Sequence, residues 1–444
     1  MENYASYRPG TFTINASRFE VGKNLFHPRD MPAFFHEYCH YIQDVTTISA
    51  IFGFTLWLFD VVNLTRIFSD GEGKTIMLPL PPDEHGDPIN KYRKFYNLFC
   101  GDANDVHHID YQTIRFNRVE FEIKPLDVGS WQPLVRFNRI IMDNRSQPLE
   151  FRLIALQEIH ACYAQQITEH YYPDEDFPVA AADLPSYPYH FGDHLFEVYG
   201  VTIPLQAKFL LVGLCLDTVQ APTTFLLALE LIKGQSFTTD QESVDRLIVV
   251  VEQARVNCSY ATEDALEQIL PDLENWANGP GRPEFRVALE WYIMQIEMSY
   301  KMKKDTPIIF HNLFCHGIGG LSDLYQLYPV PVFYNNGALD GNASPVGETA
   351  QYNIYLFSFE AGSTFWALRE LYDFLCARDI ATLLEKSTCP LYEKCTVRPQ
   401  LGEDYTCKSA PWEIVKNKVK APCHYGLAAA SMGLWQNSIG FDWE

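Results

Sequence analysis

The chain opens on an alternating stretch. Residues 11–21 (TFTINASRFEV) place apolar and polar side chains at period two, as a half-buried strand does. After Pro28 and Pro32 the period lengthens to that of a helix, predicted from about 31 to 69 and closed by the turn SDGEG at 69–73. A short strand-like run, KTIMLPL, follows. Two near-identical strings at 114–119 (IRFNRV) and 135–140 (VRFNRI) alternate again and predict two strands of one small sheet. A second long helix is expected over about 148–172, then a loop rich in Pro, Tyr and Asp over 173–190. Most of the remainder reads as helix, roughly 204–233, 240–256, 262–277, 283–303 and 360–386, with breaks at Gly234, 279–283 and 328–348. The expected fold is α+β and helix-dominated. It has a core over 1–200, a helical region packed on it over 201–375, and a Cys-rich module over 376–444.

Composition narrows the function classes. The 444 residues carry 34 Lys+Arg against 56 Asp+Glu, and 34 − 56 gives a net charge of −22. Such acidity argues against a nucleic-acid backbone or an anionic membrane as the main partner. Hydrophobic residues make up 47%, enough for a large core, which excludes intrinsic disorder. The apolar run 48–59 is short for a membrane span and closes at Asp60; the run 209–232 is broken by Asp217, Pro222 and Glu230. The first twenty residues show no basic segment leading into an apolar one, so a cytoplasmic protein is expected. Its cysteines are then expected to be buried thiols or metal ligands rather than a disulfide framework.

The most informative residues are His36-Glu37-Tyr38-Cys39-His40. Positions i and i+4 share one helix face, so both imidazoles can reach one Zn²⁺. Glu37 is offset from that face. It can stand beside a zinc-bound water and take its proton, the requirement of amide hydrolysis. Apolar flanks (Phe34, Phe35, Tyr41, Ile42) suit a buried active-site helix.

The run HEYCHYIQDVTT resembles the zincin metallopeptidases, with Asp44 four residues after His40 as in the thermolysin-like HExxH-x3-D pattern. The metzincin branch is excluded, because its Gly and third His positions are Gln43 and Thr46. The gluzincin branch takes its third ligand from a Glu on a later helix. Within LIALQEIHACYAQQITEHYY that resemblance implies Glu158 as ligand and Ala161 as the small residue packed behind it. His160 is the runner-up ligand and Glu169 the third. Where the family has an Asp that orients a ligand His, this chain has Cys162. The family also stabilises the oxyanion with a Tyr or His. Segment 187–199, with Tyr187, Tyr189, His190, His194 and Tyr199, offers several candidates. The resemblance covers about residues 11–200 and implies a zincin-like catalytic core there.

A second constellation lies in the tail. Cys389, Cys395, Cys407 and Cys423 fit a tetrahedral zinc site or an iron–sulfur cluster, and Cys376 reads as core. A metal would supply folding energy that this irregular, Pro-rich stretch cannot draw from burial. The remaining motifs carry less. The Gly73–Thr75 GKT lacks the upstream Gly of a phosphate loop, and His107-His108 sits in a polar stretch. The expected function is therefore an intracellular zinc metallopeptidase acting on a specific protein substrate. The alternative is a metal-stabilised regulatory protein whose zincin-like domain is inactive.

Overall fold

The computed structural model describes residues 5–16, 21–22, 25–69, 73–80, 96–97, 99–101, 116–125, 134–142, 148–258, 265–278, 283–335, 338–340, 352–377, 379–390, 392, 406–412, 423–434 and 438–441. The His107-His108 pair and Cys395 fall outside them.

The N-terminal strands are β1 (Ser6–Arg8), β2 (Thr13–Asn15), β3 (Val21–Gly22) and β4 (Leu25–Phe26). Helices α1 (Met31–Thr46) and α2 (Ile48–Ser69) follow, then β5 (Thr75–Leu78), β6 (Phe116–Pro125), β7 (Leu134–Met142) and β8 (Leu149–Phe151). Next come α3 (Leu153–Glu169), α4 (Phe191–Val198), α5 (Leu205–Leu216), α6 (Ala221–Leu231), α7 (Gln241–Cys258), α8 (Ala265–Asn278), α9 (Pro283–Asp305), α10 (Ile309–Cys315) and α11 (Gly317–Leu327). The chain closes with β9 (Val332–Asn335), β10 (Ala338–Asp340), α12 (Tyr352–Leu375), α13 (Ile380–Lys386), α14 (His424–Ser431) and β11 (Ser438–Phe441). The fold is helix-dominated α+β with small sheets.

Several predicted helices are divided, each for a local reason. Thr47 breaks the 31–69 run with extended backbone (φ −100°, ψ 137°), while the hydroxyls of Thr46 and Thr47 take the carbonyls of Ile42 and Gln43 at 2.6 and 2.8 Å. In the 148–172 run, the first residues form β8 instead of helix. Leu149 and Phe151 are buried and Glu150 is exposed, so this segment alternates and pairs antiparallel with β7. The 204–233 run splits before Pro222, which opens α6. The 360–386 run splits at Asp379, whose carboxylate caps α13 at Thr382 N–H (2.8 Å). The described part of the first string, from Phe116, and the second string lie in neighbouring antiparallel strands, β6 and β7.

The sheets tie distant parts together. Strand order β1-β2-β9-β10 joins residues 6–15 to 332–340, with β2 parallel to β9. Strand β5 pairs parallel with β11, joining 75–78 to 438–441. The boundaries expected at 200 and 375 are thus crossed by strand pairing. Among the described residues, one buried cluster runs from Phe12 to Leu434. Helix α2 carries an 18-residue window long and apolar enough to cross a membrane, longer than the apolar run read from the sequence, and 83% of it is buried inside the fold.

One turn positions the N-terminal strand. Between β1 and β2, Gly10 has φ +73° and Phe12, though not glycine, has φ +52°. The fully buried Phe12 ring packs edge-on against Phe54 (5.3 Å), Trp291 (5.0 Å) and Phe365 (5.3 Å). Burial of an aromatic ring, about 1.5–3 kcal/mol, outweighs a left-handed backbone cost of about 1–2 kcal/mol. The turn is held, and β1 lies against α1.

Candidate metal centre

Helices α1 and α3 pack side by side and carry the chemistry. His36 and His40 stand one turn apart on α1, and Glu158 faces both from α3. Glu158 Oε2 lies 3.3 Å from His36 Nε2 and 3.2 Å from His40 Nε2. Among the described residues, these three form the group whose ligand atoms all lie within 4.8 Å of one another. For ligands about 2.0–2.1 Å from a zinc ion, the corners of a tetrahedron are about 3.3–3.4 Å apart. The donor set and its spacing fit Zn²⁺.

The charges are coupled. Burial acts to raise the Glu158 carboxyl, but the His40 charge and hydrogen bonds from His36 and His40 outweigh it and hold it well below the usual carboxylate range. For His40, burial acts downward; the Glu158 carboxylate outweighs it and pushes the imidazole up to about 9. Glu37 stands beside the trio. Burial pushes its carboxyl up, against the opposing pull of His36 and His40 and of a hydrogen bond to the Tyr7 backbone.

Compared with protein-family profiles, curated proteins and solved structures, the chain matches none of them.

Asp44 does not orient a ligand. Its Oδ2 accepts from the Tyr7 hydroxyl (2.8 Å) and the Gly10 N–H (3.0 Å), fastening β1 and its turn to α1. The Tyr7 ring lies stacked at 6.2 Å from His40. The residue that meets His40 is Gln43, with Oε1 3.0 Å from His40 Nδ1. Sequence reasoning missed it, and its one signal is position i+3 from a ligand on the same helix face. The buried His36 Nδ1 has no hydrogen-bond partner among the described residues.

The alternative ligands sit elsewhere. His160 turns from the trio, and its Nδ1 meets Gln43 Nε2 at 3.1 Å and Cys39 Sγ at 3.4 Å. Burial, with His40 and His311 nearby, pushes it down to about 3. Glu169 accepts from Ala181 N–H (2.6 Å) and Gln165 (3.3 Å), which anchors the following loop. Ala161, on the same helix as Glu158, is fully buried. Cys162 is buried too, accepts from Gln166 Nε2 at 3.4 Å, and is pushed up to about 12, chiefly by burial.

Of the oxyanion candidates, Tyr189 packs beside a ligand. Its ring centre lies 5.7 Å from that of His36. The charge of Glu158, then burial, then the charge of Glu37 raise its hydroxyl above the usual range. Tyr187 packs on Phe191 (5.3 Å), and His194 lies 6.1 Å from Phe191.

In the tail, Cys389 and Cys407 are buried and Cys423 is half-buried. Cys389 N–H donates to the Cys407 carbonyl at 3.0 Å, and Thr388 Oγ1 to the Lys408 carbonyl at 2.8 Å. Cys423 precedes α14 as its N-cap. The Tyr425 hydroxyl, buried without a hydrogen-bond partner among the described residues, lies within electrostatic reach of all three thiols. The three sulfurs do not reach the closeness of the His36–His40–Glu158 group. Cys376 is buried in the main core, as expected.

Proposed function

We propose that this chain is a zinc-dependent peptidase of gluzincin type, with His36, His40 and Glu158 as ligands and Glu37 as general base. One observation carries the reading: ligand atoms from two helices, 122 residues apart between His36 and Glu158, sit at tetrahedral separations beside the half-buried carboxylate of Glu37. When bound, Zn²⁺ lowers the pKa of a coordinated water and polarises a carbonyl. Glu37 accepts a proton at its carboxylate and returns it to the leaving amine. Burial raises its affinity for that proton. Tyr189 donates its hydroxyl hydrogen to the developing oxyanion. The substrate is one specific protein, since the helices beyond residue 200 far exceed what the ligand trio needs for support. The tail thiols Cys389, Cys395, Cys407 and Cys423 seat a second metal, a structural zinc or an iron–sulfur cluster, a role supported by the Cys389 N–H bond to the Cys407 carbonyl.

The test is Glu37→Gln. It retains zinc and fold, and lowers peptide hydrolysis by about 10²–10⁴-fold. Comparing the proteomes of cells expressing wild type and Glu37→Gln identifies the cleaved protein. Full cleavage by Glu37→Gln sinks the mechanism; no cleavage by zinc-loaded wild type favours an inactive, regulatory protein.

A further inference from the structure

The Gln43 amide is held on three sides. Its Nε2 faces the Gln157 carbonyl at 3.1 Å, and that oxygen can only accept. The amide orientation is thereby fixed, with Nε2 toward Gln157 and Oε1 toward His40. Oε1 can only accept, so His40 Nδ1, 3.0 Å away, must carry a proton. The proton on His40 Nε2, the nitrogen that faces Glu158, is then the one a metal ion displaces, which leaves Nε2 as the ligating lone pair. A backbone carbonyl next to the ligand Glu158 thus sets the tautomer of a ligand on the other helix.

His160 completes the hold. Its Nδ1 takes the second Gln43 N–H at 3.1 Å, and its ring stacks flat on Phe209 of α5 (4.2 Å, 3°). It also bonds the Phe209 backbone, with Gly213 alongside. A Cβ at Gly213 would stand 3.0 Å from His160 Nε2, so glycine there lets the ring seat against α5. A void of about 50 Å³ lined by His160, Gly213 and Phe314 gives a displaced ring room to shift without unfolding the helix.

We propose that Gln43 is the positioning residue of this metal centre, and that α5, through His160, holds Gln43 in place. The inference rests on the zinc-site reading above. It assigns the work of a ligand-orienting carboxylate to an amide, and it makes a helix beyond residue 200 part of the centre's support.

The test is zinc affinity, by competition with a chromophoric chelator, together with the visible spectrum of the cobalt-substituted protein. His36→Ala serves as the blank for ions held elsewhere. Gln43→Met keeps the volume and removes the amide. It is expected to weaken zinc by about 10–100-fold and to change the cobalt bands. Gly213→Ala touches no ligand and is expected to weaken zinc by about fivefold with a smaller spectral change, an indirect form of the same loss. Gln43→Met binding within about twofold of wild type, with the same spectrum, overturns the proposal. Gly213→Ala indistinguishable from wild type removes α5 from it, and this variant decides the matter where Gln43→Met does not fold. Wild-type protein that takes up no more zinc than His36→Ala overturns the zinc-site reading itself.

Discussion

The chain carries two sets of metal-type ligands, and they are prepared differently. His36, His40 and Glu158 sit on two packed helices, with separations of 3.2 and 3.3 Å set by helix geometry and the core. Cys389, Cys407 and Cys423 sit on short irregular segments, gathered but not converged. Helical spacing arranges ligands before any ion arrives. In the tail Cys389, Cys407 and Tyr425 join the buried core, yet the sulfurs stay apart, and an ion would draw them together, so that part of its binding energy becomes folding energy.

The sharpest way to break this comparison is metal analysis. His36→Ala removes a direct ligand, and the loss of affinity is expected to exceed the roughly hundredfold typical of an orienting group. The protein falls from about two zinc ions per chain to about one. Its melting temperature in chelator stays near that of wild type, because the two helices pack without the ion. An unchanged zinc content in His36→Ala breaks the reading of the first centre.

Cys407→Ser asks the same of the tail. It too is expected to lower the content from about two ions to about one, but with a different consequence. Limited proteolysis is expected to cut within 388–425 in Cys407→Ser and in chelated wild type, and not in zinc-loaded wild type. Cobalt at this site gives sulfur charge-transfer bands that a His/Glu centre lacks. A brown protein purified without oxygen replaces zinc by an iron–sulfur cluster here. A tail equally resistant with and without metal removes the contrast.

The two centres were also unequally legible in the sequence. HExxH could be read because its geometry is local: four residues of helix place both histidines. Glu158 came from family resemblance, and the structure brings it to both histidines. The support around them was hidden. Gln43 works through Gln157 and His160, residues 114 and 117 positions away, and no local pattern announces such a contact. Asp44 shows that spacing alone does not assign a contact. Its spacing resembled a family motif, yet packing turned it toward Tyr7 and Gly10. Secondary structure followed the same divide. Periodicity found the helical runs, while their breaks depended on side-chain bonds such as Thr47 to the Gln43 carbonyl.

Tyr189→Phe sharpens the first centre from metal site to catalyst. Removing one oxyanion donor is expected to lower kcat by about 10²-fold, with KM and zinc content unchanged. A similar loss from His190→Ala, with no loss from Tyr189→Phe, moves the role to the neighbouring residue.

The smallest effect concerns the frame beneath the centre. Burial pushes Asp44 up to about 6, against the Gly10 N–H, the Tyr7 hydroxyl and the His40 charge, from an ordinary value of 3.8. A carboxyl raised in the folded state binds its proton more tightly folded than unfolded. Its stabilising contribution is complete below about pH 4 and is lost as pH rises through about 6. Asn at this position keeps an oxygen for both donors and never ionises. Asp44→Asn is therefore expected to gain stability relative to wild type on going from pH 4 to 8, by at most about 3 kcal/mol. Denaturant unfolding of both proteins in chelator measures this, since ligand protonation is then common to the two. A gap that stays constant across that range shows that Asp44 is solvated, and that the frame of the histidine centre is no drier than the tail.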